Sequence, residues 1–204
     1  MTTINSLMPN VVPSGDGDTV NITSIGIAAS FDLQPAFSSI GAKNLTILNF
    51  GAIDGDPAGG TGLLFTDLST GIIVNELNAN IVGHDVGVEM DSTDGSLKNF
   101  GTISCYSSPF GSTAVRFGDN SSGNSLENHG LIAGGWYGIL DVSVFGENLV
   151  VNSGTVRGVV DGISIATKGG VHTNVNNSGT IHGGSYAIAS SGAGGLDLTN
   201  IPVR

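Results

Sequence analysis

The chain repeats a short motif, Asn-x-Gly-x-Ile-x-Gly, at an interval of about 25 residues, which is a length typical of stacked repeat proteins. The isoleucine or valine at its centre serves as an anchor for each copy, and the anchors are Ile53, Ile81, Ile103, Ile132, Val156 and Ile181. Repeats of this length predict a stacked architecture, because one repeat cannot bury its apolar face alone. The step is shortest from Ile81 to Ile103 and longest from Ile103 to Ile132. Steps that vary around a constant motif indicate turns of different length between strands that keep their register.

Constant columns of residue types surround the anchor. Small residues stand two positions before and two positions after it, and an asparagine stands four positions before it in five copies: Asn49, Asn99, Asn128, Asn152 and Asn177. The second copy carries Ile73 and Asn75 out of step, which we interpret as a single-residue bulge. We expect each asparagine to adopt a left-handed turn conformation and to hydrogen-bond up and down the stack as an Asn ladder.

A second alternating segment follows each anchor, and its first inward column is Leu63, Val88, Val115, Ile139, Ile163 and Ile188. With the apolar segment before each asparagine, this makes three short strands per repeat, all with the period of two that strands require. The pattern predicts an all-β fold, a right-handed parallel β-helix (solenoid) of about six full coils with partial coils at both ends. Asp141 interrupts the next inward column, and we predict a local bulge there because Val142 and Val144 resume the alternation one residue late.

The repeats also suggest how the chain is organised. We expect residues 1–20 to form an N-terminal cap or arm and residues 21–204 to form a single β-helix domain, either complete or a fragment of a longer solenoid. Asn200 follows Asn177 at nearly the repeat interval and begins a further rung. An open rung leaves an unpaired sheet edge. A second copy of the chain covering this edge, and hence a homo-oligomer, is one expectation, and a longer parent protein is the other.

The charge balance excludes several classes of partner. The chain has 6 Lys+Arg against 17 Asp+Glu, for a formal net charge of -11. Nucleic acids and anionic membrane surfaces bind basic patches, so neither is expected as a partner. No apolar run is long enough for membrane insertion, and the N-terminal residues do not form a cleavable signal peptide.

Cysteine and histidine usage predicts no cofactor and no metal. The single cysteine, Cys105, allows no intramolecular disulfide, and its place in the small-residue column predicts a buried core thiol. The four histidines share no column of the repeat, so they do not converge as metal ligands would.

Two copies of the motif carry a family resemblance. Residues 152–158 (Asn-Ser-Gly-Thr-Val-Arg-Gly) and 177–183 (Asn-Ser-Gly-Thr-Ile-His-Gly), each followed by a short apolar strand, resemble the repeats of bacterial autotransporter passenger domains. They are also similar to the β-helical segments of large secreted haemolysin-type proteins, over roughly residues 44–190. The resemblance implies a secreted or surface protein used in adhesion, matrix building or presentation of a catalytic module. The Gly-Gly-x-Gly-x-Asp array that binds calcium in the haemolysin type is missing, so calcium is not expected.

Two groups of residues are candidate sites. Glu89 and Arg116 occupy outward positions on neighbouring rungs, where a surface ion pair is the simpler interpretation. The alternative is a site for a substrate carboxylate, since polysaccharide lyases, pectin hydrolases and uronate epimerases of this fold use such charged groups on one outer face. The second group is Trp136 with Tyr137, Asp161 and Tyr186, of which the last three share one offset on consecutive rungs.

The turn that carries this second group is our preferred location for a site. Tyr137, Asp161 and Tyr186 beside Trp136 could hold a sugar ring by stacking and a hydrogen bond, and turn packing is the alternative. Two copies have longer excursions at this turn, residues 54–61 and 105–112, and loops on a rigid scaffold often carry function.

Two functions remain open from the sequence. The first is a non-catalytic structural or adhesive β-helix segment of a secreted or cell-surface bacterial protein, found extracellularly or at the cell surface. The alternative is a carbohydrate-active protein, such as a polysaccharide lyase, a uronate epimerase or a glycan-binding module. A polysaccharide or a host or cell-surface glycan is the expected partner in either case.

Overall fold

The computed structural model describes residues 1–11, 16–39, 42–66, 70–106 and 110–200. Within these ranges the chain contains strands and no helix, arranged as a parallel β-solenoid of about seven turns. Three parallel sheets enclose one apolar core, with three strands per coil. The predicted parallel β-helix is therefore confirmed.

Each sheet collects at most one strand from each coil, and we number the strands in chain order. The first sheet contains β1 (Thr2–Ile4), β3 (Thr19–Ile22), β6 (Leu45–Asn49), β9 (Gly71–Asn75), β12 (Ser96–Asn99), β15 (Ser125–Asn128), β18 (Asn148–Asn152), β21 (His172–Asn177) and β24 (Gly195–Asn200). The second contains β2 (Leu7–Pro9), β4 (Ile27–Ala29), β7 (Ala52–Asp54), β10 (Asn80–Gly83), β13 (Thr102–Cys105), β16 (Leu131–Ala133), β19 (Thr155–Gly158) and β22 (Thr180–Gly183). The third contains β5 (Phe37–Ser38), β8 (Thr61–Thr66), β11 (Val86–Asp91), β14 (Thr113–Phe117), β17 (Tyr137–Asp141), β20 (Asp161–Ile165) and β23 (Tyr186–Ser190).

The register of the sheets matches the columns of the repeat. Ile81 of β10 pairs with Ile53 on one side and with Ile103 on the other, and Val88 pairs with Leu63 and Val115 in the third sheet. All of these side chains are fully buried. Burying one such side chain contributes about 1.5–3 kcal/mol relative to leaving it exposed, so stacking the coils supplies the main stabilisation.

The first turn, between the first and second sheets, is lined by a column of asparagines that is fully buried from Asn49 to Asn152. Each Nδ2 donates to the Oδ1 of the next asparagine, at 2.8 Å for the five pairs from Asn49 to Asn177 and at 3.2 Å for the last pair; the members are Asn49, Asn75, Asn99, Asn128, Asn152, Asn177 and Asn200. The predicted Asn ladder is confirmed. The predicted left-handed conformation is wrong, because these residues end strands of the first sheet and none has a positive φ.

The copy that carries Asn75 differs from the prediction in another way. Asn75 pairs with Asn49 and with Asn99, so the column is unbroken and no bulge separates Ile73 from its neighbours. The difference from the other copies lies in the turn, where two extra residues precede the anchor and Asn78 has a φ of 68°. The predicted single-residue bulge is therefore wrong: hydrogen bonds keep the asparagine in register, and the turn absorbs the insertion.

The first and last described strands join the stack. β1 and β2, from residues 1–20, pair with β3 and β4 respectively, and the role of this segment as a cap stays a prediction. At the other end β24 pairs with β21, which confirms the further rung that Asn200 indicated.

Asp141 is a fully buried member of its column. It pairs in register with Phe117 and Ile165, so the predicted bulge at this position is wrong. Its Oδ1 accepts a hydrogen bond from the Ser143 backbone N–H at 3.0 Å. Its Oδ2 accepts bonds from Asn148 Nδ2 at 3.2 Å and Thr173 Oγ1 at 2.9 Å. A buried carboxyl is tolerated where polar partners surround it. Ser143 in the third turn, from the third sheet back to the first, and Asn148 and Thr173 on first-sheet strands β18 and β21 supply them.

Candidate functional site

The second turn, between the second and third sheets, is tight in four coils because of the glycine two residues after the anchor, which is Gly83, Gly134, Gly158 or Gly183. A Cβ on Gly134 would collide with the carbonyl oxygen of Tyr137. Gly158 has the same relation to Asp161, and Gly183 has it to Tyr186. These short turns place Tyr137, Asp161 and Tyr186 at the start of the third-sheet strands, and the three residues pair in register. The sequence prediction that they align on consecutive rungs is confirmed.

Aromatic side chains accumulate at this turn. The Phe110 ring lies 4.4 Å from the Trp136 ring with a 43° tilt, and Trp136 meets Tyr137 edge-on at 6.4 Å. Phe110 is 85% exposed, and Tyr186 and Tyr106 are also exposed. We call this group the aromatic edge; it consists of Tyr106, Phe110, Trp136, Tyr137 and Tyr186. It includes all three tyrosines and the single tryptophan of the chain.

Phe110 and Tyr106 are additions to the residues that the sequence singled out. Both belong to the excursion at residues 105–112, whose residues 107–109 lie outside the described part of the chain. The Tyr106 hydroxyl donates to Asp54 Oδ1 at 2.9 Å, which ties this excursion to a coil two rungs earlier. The signal was available in the sequence as two aromatic residues on a loop that extends a regular turn.

Asp161 lies between Tyr137 and Tyr186 in their column. It is 6% exposed, and its Oδ1 is buried without a hydrogen-bond partner in the structure. Its backbone N–H points to the Trp136 carbonyl oxygen at 3.3 Å, which joins consecutive second turns. The role predicted for Asp161, a hydrogen bond to a sugar, stays a prediction, and the accessible part of the edge is aromatic.

Cys105 corrects another expectation. The predicted position of the thiol in the buried core is wrong, because the residue is half-buried at the start of the long excursion. Its Sγ accepts a hydrogen bond from the Gly135 backbone N–H at 2.9 Å, and partial burial raises the pKa of the thiol. A side chain is possible here because the longer turn removes the close contact that makes glycine necessary in the short turns.

Glu89 and Arg116 form the expected ion pair. They pair in register on β11 and β14, and Glu89 Oε1 lies 3.4 Å from Arg116 Nη1. Burial raises the pKa of Glu89, and the attraction of Arg116 opposes this shift. The guanidinium thus has a protein carboxylate as its partner.

Two further observations concern the described part of the chain. None of its histidine, cysteine, aspartate and glutamate side chains form a group of three or more that could hold a metal ion. In the same ranges, no helix has the length and apolar character needed to cross a membrane.

Comparison of the chain with protein-family models, with curated proteins and with solved structures found no match. The parallel β-solenoid is therefore supported by strand pairing in this molecule. The likeness to autotransporter or haemolysin-type repeats stays a hypothesis from the motif alone.

Proposed function

We propose that this chain is a non-catalytic adhesive β-helix segment of a secreted or cell-surface bacterial protein, and that its aromatic edge contacts a polysaccharide or cell-surface glycan. The observation that carries the proposal is the concentration of aromatic residues. All tyrosines and the tryptophan lie on one edge of a chain in which aromatics are only 6% of residues.

The physical chemistry of the edge suits sugar rings. Tyrosine and tryptophan offer a broad apolar face together with a polar atom, and they are enriched where proteins meet partners. The solenoid spaces its rungs about 4.8 Å apart. Phe110 and Trp136 belong to consecutive rungs and Tyr186 lies two rungs beyond Tyr137, so their spacing is set before a ligand arrives. A preorganised surface loses less conformational entropy on binding.

The enzymatic alternative centres on Arg116. A lyase or epimerase that used this residue would need its guanidinium free to neutralise a substrate carboxylate, and here it lies beside Glu89. We therefore favour binding without chemistry, and product analysis distinguishes the two.

The test uses retardation in gels that contain neutral or uronate-containing polysaccharides, with analysis of products. The parent protein is expected to be retarded by at least one glycan without shortening it or changing its uronate composition. Trp136→Ala should weaken binding at least about tenfold, because it removes the ring that Phe110 and Tyr137 both contact. Phe145→Ala is the matched control, since Phe145 is 72% exposed but lies on the third turn.

Three outcomes contradict the proposal. Cleavage or epimerisation of a glycan would identify an enzyme. Equal losses in the Trp136 and Phe145 variants would place binding elsewhere. If no glycan of the panel retards the parent protein, the proposed glycan binding is wrong.

We also propose that a second copy of the chain covers the exposed C-terminal rung. Ile181 and Ile188 are only partly buried there, whereas their counterparts one coil earlier, Val156 and Ile163, are 0% and 1% exposed. A groove of about 390 Å³ opens between Ile181, Ile188 and Leu198. Light scattering should give the mass of a dimer, and Ile188→Lys should give that of a monomer; a monomeric parent protein would contradict the proposal.

A further inference from the structure

A groove lies on the outer face of the second sheet, next to the aromatic edge. Its volume is about 390 Å³, and Ser104, Cys105, Arg157, Val159 and His182 are among the residues that line it. Ser104, Ala133, Arg157 and His182 occupy one outward column on four consecutive strands. The depression forms where the small side chains of Ser104 and Ala133 are followed by the long side chains of the next two coils.

The groove continues into the aromatic edge through the second turn. Gly134 and Val159, which form part of its wall, stand two residues before Trp136 and Asp161 respectively. The Val160 backbone N–H donates to the Trp136 carbonyl oxygen at 2.9 Å, so the two surfaces share a rigid backbone. A chain of sugar rings lying on the aromatic edge would therefore extend toward the groove.

Arg157 makes the groove a cationic point in an acidic molecule, and His182 lies beside it. Lys98 and Arg116 are each paired with a glutamate, whereas the described residues place no carboxylate within ion-pair distance of Arg157. Both Arg157 and His182 are exposed, and their backbones pair directly. Asp161, across the turn, is buried, so it offers no carboxylate on the groove surface.

The acidity of the whole chain limits the kind of anion that can bind. With a net charge of -11, a polymer with a charge on every sugar would be repelled along most of the surface. Asp54 stands four coils from Arg157 in the same column, about 19 Å away at the usual strand spacing, and a Debye length of about 8 Å screens it. A single carboxylate near Arg157 is thus attracted locally.

We propose that this groove binds the carboxylate of a uronic acid in an otherwise neutral glycan whose neighbouring rings lie on the aromatic edge. The planar guanidinium of Arg157 matches a carboxylate with two parallel hydrogen bonds, and His182 supplies a further polar group. The inference rests on the proposed function, because it names the ligand class of the same surface.

The experiment compares three forms of one oligosaccharide, drawn from the glycans that retard the parent protein. The first is neutral, the second carries one C6 carboxylate, and the third carries one C6 sulfate. Calorimetry on the parent protein should show the carboxylated form binding about tenfold more tightly than the neutral form, as expected for a charge-assisted contact. In Arg157→Gln the affinities for the neutral and carboxylated forms should become equal. Lys168→Gln removes the same charge at an exposed site on the third turn and should leave the preference unchanged.

The outcomes separate the two proposals. Equal affinity of the parent protein for the neutral and carboxylated forms overturns the uronate site but leaves the aromatic edge as a glycan surface. Sulfate bound as tightly as carboxylate overturns the carboxylate assignment. If Lys168→Gln loses the preference as fully as Arg157→Gln does, the preference depends on net charge, and the proposed site is overturned. No binding of any glycan overturns both proposals. Thermal unfolding of the two variants confirms that each is folded.

Discussion

The first turn of the coil is held in register by side-chain hydrogen bonds, whereas the second turn varies in length and in its exposed residues. In the first turn every asparagine from Asn75 to Asn177 donates to one neighbour and accepts from the other, so each coil is tied to two others. In the second turn the connections differ in length, and the exposed positions carry aromatic rings. A solenoid can therefore vary one edge freely because a hydrogen-bonded column along another edge maintains the register.

The two turns also accept insertions differently. The first turn gains two residues before Ile81 but keeps Asn75 in the ladder. The second turn gains residues after Gly55 and Cys105, and the close contact that requires glycine in the short turns is lost there. The asparagine ladder is thus the regular part of each coil, and the edge that we propose for binding is the variable part.

The largest expected effect comes from breaking the ladder. Asn128→Ala should lower the free energy of unfolding by about 3 kcal/mol, because Asn99 Nδ2 and Asn152 Oδ1 lose buried partners at 2.8 Å. Urea unfolding measures the change. Asn176→Ala is the control on an outward position of the same sheet, and it should shift stability by less than about 0.5 kcal/mol. If both variants lost similar amounts of stability, the ladder would contribute no more than an ordinary outward asparagine.

A glycine pair tests the difference between short and long second turns. Gly134→Ala should cost about 2–3 kcal/mol, since its Cβ would collide with the carbonyl oxygen of Tyr137 and the turn must open. At Gly55 the nearest atoms to a Cβ are in Thr61 at 3.1 Å, so Gly55→Ala should cost less than about 1 kcal/mol. Thermal unfolding of the two variants gives the comparison. If Gly55→Ala were the more damaging, the long turn would not be the relaxed one.

The smallest expected effect is the pH dependence of Glu89. Burial raises its pKa in the folded protein above that of an unfolded glutamate, about 4.3, so its contribution to stability is greatest below that pH and falls as pH rises through the folded pKa. Glu89→Gln should therefore gain stability relative to the parent protein between about pH 4 and pH 7, by less than about 1 kcal/mol. The difference between the unfolding free energies of Glu89→Gln and the parent protein, followed against pH, measures this effect, because the other acidic groups contribute equally to both. A relative loss with rising pH would mean that Arg116 outweighs burial.

Most of the architecture was predictable because the repeat is local and periodic. The three strands per coil, the in-register columns, the Asn ladder and the alignment of Tyr137, Asp161 and Tyr186 all follow from residues at constant offsets from an anchor. The Glu89–Arg116 pair followed for the same reason, since adjacent rungs place equal offsets side by side.

The errors arose where polar groups or turn geometry decided the outcome. The alternation predicts that Asp141 leaves its column, but Asn148 and Thr173 on strands of the first sheet satisfy its carboxyl in place. The small-residue column predicts Cys105 in the core, but a longer turn brings it to the wall of a groove. Thr173 lies 32 residues from Asp141 in the chain, whereas the excursion that moves Cys105 follows it directly.

The sequence alone determined the fold, because strands with a period of two, repeated at a nearly constant interval, can bury an apolar face only by stacking. Tertiary structure alone decided which side chains reach the surface. It buried Asp161 between Tyr137 and Tyr186, placed Phe110 against Trp136, and left Arg157 exposed beside a groove. Exposure depends on the lengths of turns in neighbouring coils, and those neighbours lie a full repeat away in the chain.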